Sequence, residues 1–523
     1  MKKSLLINVV VILAIIIFVN MLSVTMFKRL DFSKGKLYSL SDTSKETVKA
    51  IDDRIVIKAY FSENLPPQYA DARRYTEDLL AEYQVYSKGK LRFEFIDPAS
   101  AEDLKAEATK NMIHPVQMQI NENDKMEIRE IYMGLAFLYQ GKSETIPLVQ
   151  KTQGLEYDIT LKLKNLVSDE QKKVAVFKPE SIQRDMFGRP KDNYGTLNAL
   201  INENYTMEDV DLESPIDSSI RTMLVTGIND SLTTNQLYNL DQFIMNGGSV
   251  AFYQDRVKAS VQTQQAEEIN SNIFDFLAGY GIKVHSNVVA DAECGQVNIS
   301  RRQGFFTTQT PVKYPFIPIL TNFNMENSIV KNIDVMTLIF ASELDTTYVA
   351  EGINFQPLIY TSKHSKRIGA PRFDIAINSY MNKDLNVMLN EGPACVAGVY
   401  SGSFKSNFAG NSNFPNGKNE SVGSHIIYVA DTDILLDNAG AGTKTNMEFA
   451  LNSLDYISGD ASLIDLRSRG TEYKPLKADI TAKQRKMIKW TNILLPSFIL
   501  MLVGLVVSRV YANKKKMLEA MYE

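Results

Sequence analysis

Two uncharged apolar runs, one near each end of a 523-residue chain, constrain the fold more than any other feature. Ser4 to Phe27 is interrupted only by Ser, Asn and Thr, and at 1.5 Å per residue it is long enough to cross a ~30 Å hydrocarbon core. Thr491 to Ser508 is shorter and carries Asn492 and Pro496 in what the pattern predicts to be its first turns, where a missing N–H costs little. Lys2 and Lys3 could head a secretory signal. The first run exceeds the usual apolar stretch of about 7–15 residues, however, and no small-x-small site precedes Lys28-Arg29, so a retained anchor is expected. The basic cluster Arg509 with Lys514-Lys515-Lys516 favours a second span ending at a cytoplasmic surface.

Two spans place both termini on one side. The segment between them, residues 30–488, carries 48 Lys and Arg against 59 Asp and Glu, while the short tails are basic. That asymmetry predicts cytoplasmic termini and a large periplasmic domain. A net charge of −4 argues against a dedicated nucleic-acid binder, which needs a basic face. Cys294 and Cys395 cannot build a Cys-rich zinc site, and whether they pair is not readable.

Periodicity divides the middle in two. Thr43 and Glu46 fit a capping box before a helix. A strand follows over Arg54–Phe61, then the Pro66-Pro67 break, then an amphipathic helix through Ala72, Tyr75, Leu79, Tyr83 and Tyr86. Further strands are expected at Leu91–Phe95, Val116–Ile120, Ile128–Ile131 and Leu135–Tyr139. This β-α-β-α-β-β order suits a thioredoxin-like α/β domain over 30–170, between an N-terminal anchor (1–29) and a larger domain (171–475).

The larger domain alternates strand and helix: Lys173–Phe177, Thr196–Asn204, Thr222–Gly227, Thr233–Met245, Ser249–Tyr253. Such alternation implies a mostly parallel, doubly wound sheet of the flavodoxin or glutamine-amidotransferase kind. Later strands are expected at Met336–Phe340, Pro357–Tyr360, Ala394–Tyr400 and His425–Ala430, with a closing helix at Asn446–Ile457. Gln183–Asn193, Val257–Ile269 and the Asn/Ser/Gly-rich Phe404–Ser424 read as solvated loops. Residues 476–523 hold the C-terminal span and its basic tail.

Catalytic patterns fail on spacing. Gly440-Ala-Gly-Thr-Lys-Thr lacks a Gly before Lys444 and so is no phosphate loop. His114, His285, His364 and His425 are scattered. Cys395 would need glycines two residues either side to form a nucleophile elbow, and Pro393 and Ala397 stand there. The thioredoxin redox position reads Ser62-Glu-Asn-Leu-Pro-Pro, without cysteine. No catalytic, cofactor-binding or metal-binding residue is assigned, and no cofactor is expected.

A resemblance rests on motifs in a fixed order: Asp31-Phe-Ser-Lys-Gly-Lys-Leu-Tyr-Ser-Leu-Ser, Ile57-Lys-Ala-Tyr-Phe-Ser, Phe95-Ile-Asp-Pro and Leu240-Asp-Gln-Phe-Ile-Met-Asn-Gly-Gly-Ser-Val. It continues at Val396-Ala-Gly-Val-Tyr-Ser-Gly-Ser-Phe, Val429-Ala-Asp-Thr-Asp-Ile-Leu, the stretch from Asn446 to Asp460, and Asn492-Ile-Leu-Leu-Pro. In these the sequence resembles the auxiliary components of ABC transporters, and among them the gliding-motility-associated type known as GldG. The resemblance implies an inner-membrane, non-catalytic subunit with a periplasmic domain, docked through its two helices to a multispanning permease served by a separate ATP-binding subunit. It also implies a link to gliding motility or the associated secretion machinery, two copies per complex, and contact with an envelope protein or cargo. Two rivals remain: a tethered glycan- or peptide-binding module using aromatics near Phe305-Phe306 or Tyr314-Pro-Phe-Ile-Pro, and a hydrolase or amidotransferase using Cys395.

Overall fold

The computed structural model describes residues 39–122, 125–152, 154–168, 171–179, 182–184, 190–303, 306–440, 442–467 and 481–522. The expected N-terminal anchor, Ser4–Phe27, lies outside the described residues. The chain divides into two compact units, Met1–Thr471 and Glu472–Glu523.

The first unit is α/β throughout and holds two main sheets. Its opening elements are α1 (Asp42–Lys49), β1 (Ile55–Phe61), α2 (Pro67–Tyr86), β2 (Leu91–Ile96), α3 (Glu102–Lys110), β3 (Val116–Glu122), β4 (Lys125–Ile131), β5 (Met133–Tyr139), β6 (Lys142–Ile146) and α4 (Leu155–Val167). The cap of α1 is Ser41 rather than Thr43: the chain is extended at Ser41, whose Oγ accepts the Ser44 N–H at 2.9 Å. Thr43 already lies inside the helix and donates to the Ser462 carbonyl. Pro67 opens α2, its fixed φ suiting the first turn.

The smaller sheet runs β2-β1-β5-β6, with β1 and β2 parallel and the other pairings antiparallel. Of the three strands expected over 116–139, β3 and β4 instead form a separate hairpin. The fourth sheet strand, Lys-Ser-Glu-Thr-Ile, hides in the sequence because an edge strand buries little and tolerates charge. Leu40, Val48, Ile57, Leu80, Tyr83, Leu135, Phe137 and Ile159 are among the side chains that join this sheet to α1, α2 and α4 in one core.

The larger half continues with β7 (Lys173–Phe177), β8 (Ile182–Arg184), β9 (Pro190–Asp192), α5 (Gly195–Asn204), β10 (Thr206–Asp209), β11 (Thr222–Thr226), α6 (Thr234–Met245) and β12 (Ser249–Tyr253). Then come β13 (Val257–Ser260), β14 (Gln265–Glu268), α7 (Ile273–Gly279), β15 (Asn287–Asp291), β16 (Cys294–Gln303), β17 (Phe306–Leu320), β18 (Asn322–Phe323), β19 (Met336–Thr337), β20 (Ile353–Tyr360) and β21 (Ser365–Gly369). Short helices α8 (Ile377–Tyr380) and α9 (Leu385–Met388) precede β22 (Cys395–Gly402), β23 (Ser424–Val429), α10 (Lys444–Ile457) and α11 (Ala461–Arg467).

Eight of these strands form one sheet in the order β10-β7-β11-β12-β23-β22-β20-β18. The run from β10 to β23 is parallel, whereas β22, β20 and β18 are joined antiparallel. The sheet is therefore mixed. No crossover helix separates β22 from β23, so the two lie side by side as antiparallel neighbours. β11 and β12 are buried along their whole length, as strands covered on both faces must be.

Two of the expected loops are structured. Val257–Ile269 contains the β13–β14 hairpin. Phe404–Ser424 is largely exposed, as expected of a solvated loop, but it is anchored at several points: Phe404 is buried, and Phe414 stacks on Tyr238 of α6 with centroids 3.9 Å apart. The buried Asp241 carboxylate accepts from Ser406 Oγ, the Asn407 N–H and Tyr280 OH. Three aromatics and one buried acid anchor a segment whose composition reads as solvated. Part of the third such stretch, 185–189, lies outside the described residues.

The second unit is α12 (Ala482–Tyr522), about 60 Å long at 1.5 Å per residue. It begins at a reciprocal cap in which Thr481 N–H donates to Gln484 Oε1 and the Gln484 N–H to Thr481 Oγ1. The helix thus starts nine residues before the apolar run, and Pro496 falls inside it rather than in its first turn. Lys483–Lys514 is long and apolar enough to cross a membrane, with a mean hydropathy of 2.3 over its most apolar window.

Candidate functional site

Doubly wound sheets bind ligands beyond the carboxyl ends of their parallel strands, where helix N-termini supply free N–H groups. At the starts of α5 and α6 those groups are already taken. The N-terminus of α5, which follows β7, receives the Asp437 carboxylate: Gly195 and Thr196 N–H groups donate to its two oxygens at 2.9 Å. The start of α6 is closed by the Thr233–Gln236 capping box. At the start of α10, Asn446 Nδ2 donates to the Gly440 carbonyl, and a Cβ on Gly440 would lie 2.6 Å from Ile434 Cα. Gly440 is thus closely packed, while Gly442 to Lys444 are exposed.

Beyond β12 and β23 lie Asp255, Asp431 and Asp433. Asp431 is fully buried and accepts from the Ile339 and Asp433 N–H groups, and Asp255 accepts from the Thr432 N–H. Burial, then the neighbouring carboxylates, holds the Asp431 carboxyl well above its ordinary range, and burial lifts Asp433 to about 6. Among the described residues no three His, Cys, Asp or Glu side chains converge as a metal-ligating group.

Both cysteines are buried and unpaired. Cys395 opens β22, its Sγ 3.4 Å from the Ala397 carbonyl, and burial pushes the thiol up to about 12. Burial likewise raises Cys294 to about 11. Burial of this kind disfavours the thiolate that a nucleophilic Cys395 would need. Tyr314 and Phe316 are fully buried in a core with Phe340 and Tyr380, so the Tyr314-Pro-Phe-Ile-Pro aromatics present no binding platform. Phe305 lies outside the described residues.

The histidines stay apart. His114 is exposed, His285 lies 3.8 Å from Asp345, and His364 is half-buried. His425 faces Ser401 across the β22–β23 register, Nδ1 to Oγ 2.8 Å, and burial lowers its pKa. That pair was not legible in the sequence, because 24 residues separate its members and only strand register brings them together.

Among the described residues, two features present surface to a partner. One is α12, whose apolar side chains from Leu494 to Val507 are about half exposed or more. The other is a cleft of 500 Å³ beside the β16–β17 ribbon, edged by Thr310, Lys313, Asn382, Lys383 and Asn386. Sequence reading passed over it, because its walls come from segments some 70 residues apart.

Residues 171–457 match a family described as an ABC-type uncharacterized transport system. Residues 34–138 match a domain of unknown function, DUF7088. An uncharacterized protein of Borreliella burgdorferi is 24% identical over 530 residues, covering 98% of this chain and 99% of that relative. Among solved structures, the mmIFT52 N-terminal domain aligns over 54% of this chain and 97% of its own at 11% identity, with a TM-score of 0.32. The exo-beta-1,4-mannosidase Op5Man5 of Opitutaceae bacterium strain TAV5 aligns over 59% of this chain and 40% of its own, at 8% identity and a TM-score of 0.24. Neither likeness reaches a score that bears on fold or function.

Proposed function

Since the chain belongs to the ABC-type uncharacterized transport system family, we propose that it is a non-catalytic auxiliary subunit working beside a multispanning permease and a separate ATP-binding subunit. The observation that carries this reading is the family match over 171–457 on a chain that also holds an exposed apolar helix of spanning length. Internally capped helix starts and buried thiols support a role in contact rather than chemistry. In this reading α12 and the Ser4–Phe27 run cross the inner membrane, both termini are cytoplasmic, and two copies serve one complex. The domains divide as 1–29, 30–170, 171–475 and 476–523, the second thioredoxin-like and the third doubly wound. The order β2-β1-β5-β6 and the parallel run from β10 to β23 support those two assignments. The gliding-motility link of the GldG type rests on the motif resemblance alone.

The test is purification of the full-length protein from its native membranes in mild detergent, followed by mass spectrometry. Recovery of one ATPase and one multispanning permease in fixed ratio is expected. Recovery of the protein alone, across several detergents and after crosslinking, would overturn the reading.

A further inference from the structure

The first two turns of α12 carry a charge pattern that the span beyond them does not explain. Lys483, Arg485, Lys486 and Lys489 occupy four of seven successive positions there, and all four side chains are exposed. The Thr481–Gln484 cap sets where the helix begins, so these positions are helical and their directions follow from helix geometry. At about 100° per residue the four cations fall within an arc of about 160°. Gln484, Met487 and Ile488 lie on the opposite arc, with Met487 64% and Ile488 49% exposed.

No carboxylate balances this face. The only acidic residue of α12, Glu519, lies at the far end of the helix. Among the described residues none of the four cations is held in an ion pair. Lys483 and Lys486, Lys486 and Lys489, and Arg485 and Lys489 stand at the spacings where like charges destabilise a helix, so the arrangement costs stability until an anion offsets it. Orientation does not call for it either. Basic residues set topology through an excess on the cytoplasmic flank, and the four before the apolar run are matched by Arg509, Lys514, Lys515 and Lys516 after it. Depth is the remaining clue. Lys489 adjoins Trp490, and Lys483 stands about 10 Å beyond Trp490 along the axis. The headgroup layer is about 5–8 Å deep on each side of a bilayer, and the long stems of Lys and Arg span the difference.

We propose that this face of α12 binds the headgroups of anionic phospholipids at the start of the span, its four cations sharing lipid phosphates. The assignment rests on the reading of α12 as a membrane span. An anion is called for by the uncompensated charge, and ammonium and guanidinium groups hold phosphate oxygens through charge-assisted hydrogen bonds. A lipid, rather than a soluble anion, is called for by position. The basic face runs without a break into the apolar run Thr491–Ser508, so a ligand on it lies at the membrane surface. The side chains make the site; the backbone start of the helix, which carries its own cap, does not.

The test uses the single tryptophan, Trp490, as a reporter beside the basic face. Full-length protein is placed in nanodiscs of phosphatidylcholine with a minority of phosphatidylglycerol. Bromine is carried on the chains of one lipid or the other, each brominated lipid being present at the same mole fraction. Brominated phosphatidylglycerol should quench Trp490 at least about twofold more than brominated phosphatidylcholine, and the difference should shrink as salt rises. Replacing all four cations, Lys483→Gln, Arg485→Gln, Lys486→Gln and Lys489→Gln, should equalise the two lipids and leave the melting temperature unchanged, as these side chains are exposed. Arg509→Gln with Lys514→Gln, Lys515→Gln and Lys516→Gln should keep the preference, because those residues lie at the other end of the span. Equal quenching in the unaltered protein would overturn the proposal and leave the span in place, as would a preference that survives in the folded variant lacking the first four cations. Loss of a co-purifying permease from that variant, with lipid quenching unchanged, would assign the face to a protein partner instead. No quenching by either lipid would overturn the span and the site with it.

Discussion

Burial decides what the ionisable side chains can do. Cys294 and Cys395 sit inside cores with thiols raised to about 11 and 12. At pH 8 the folded protein should accordingly leave both unmodified by a thiol reagent such as Ellman's, and the unfolded protein should release two equivalents. Prompt native reaction at either position would contradict the buried geometry. Asp431 and Asp433 carry a linkage consequence. Their folded pKa values are raised by burial above the unfolded value near 3.8, to about 6 for Asp433 and well upward for Asp431. The native state therefore binds more protons than the unfolded state through that window, and these two groups oppose folding increasingly as pH rises through it. Asp433→Asn should flatten the pH dependence of stability between about pH 4 and 6 and add roughly 1–2 kcal/mol at pH 7. Denaturant titrations at several pH values would show it, and an unchanged slope would count against the buried pair.

At the scale of elements, α4 and α11 matter most, because they join the two sheets. Tyr157 and Leu161 of α4 pack on Leu463 and Leu466 of α11. Arg467, the last residue of α11, donates to Asp455, Asn452 and the Tyr157 hydroxyl, with its guanidinium 4.7 Å from the Tyr157 ring centre. Asp460 takes both Lys164 and Lys172, at 2.5 and 2.7 Å. Arg467→Ala strands a buried Asp455 and should cost about 3–5 kcal/mol in denaturant unfolding, whereas Arg467→Met with Asp455→Leu should recover most of that loss. In α12, Trp490 and Tyr511 lie 21 residues apart, about 31 Å along the axis, close to the ~30 Å hydrocarbon thickness. Trp490 is the one tryptophan of the sequence. In nanodiscs its fluorescence should be quenched more by a headgroup-level quencher than by one at the bilayer centre. The reverse order would displace the span from Thr491–Ser508.

For the whole molecule, the two sheets of the first unit should unfold together. They form one compact unit, and the α4–α11 contact between them contains a buried charge cluster as well as apolar surface. Calorimetry should give a single transition for that unit, with Arg467→Ala separating it into two. Two well-resolved transitions in the unaltered protein would mean that the halves are energetically independent. Elements with strong local periodicity were legible from the chain alone: α2, α6, α10, the buried strands β7, β11 and β12, and the apolar run within α12. Each carries its own pattern of apolar spacing, and that pattern records a burial environment whatever the partner. The start of α12 was missed because a Thr481–Gln484 cap, rather than hydropathy, sets it. The polar edge strand β6 and the ring contacts that anchor the exposed Phe404–Ser424 loop were missed for a related reason, since one hydrogen-bonded neighbour or a few anchoring aromatics suffice to order a hydrophilic segment. The sequence by itself determined the α/β class, an apolar helix of spanning length and the lack of a phosphate loop, because all three depend on residues close together in the chain. Only the tertiary structure decided the antiparallel half of the large sheet, the capping of α5 by Asp437 and the pairing of His425 with Ser401, because those depend on contacts between segments that local pattern does not connect.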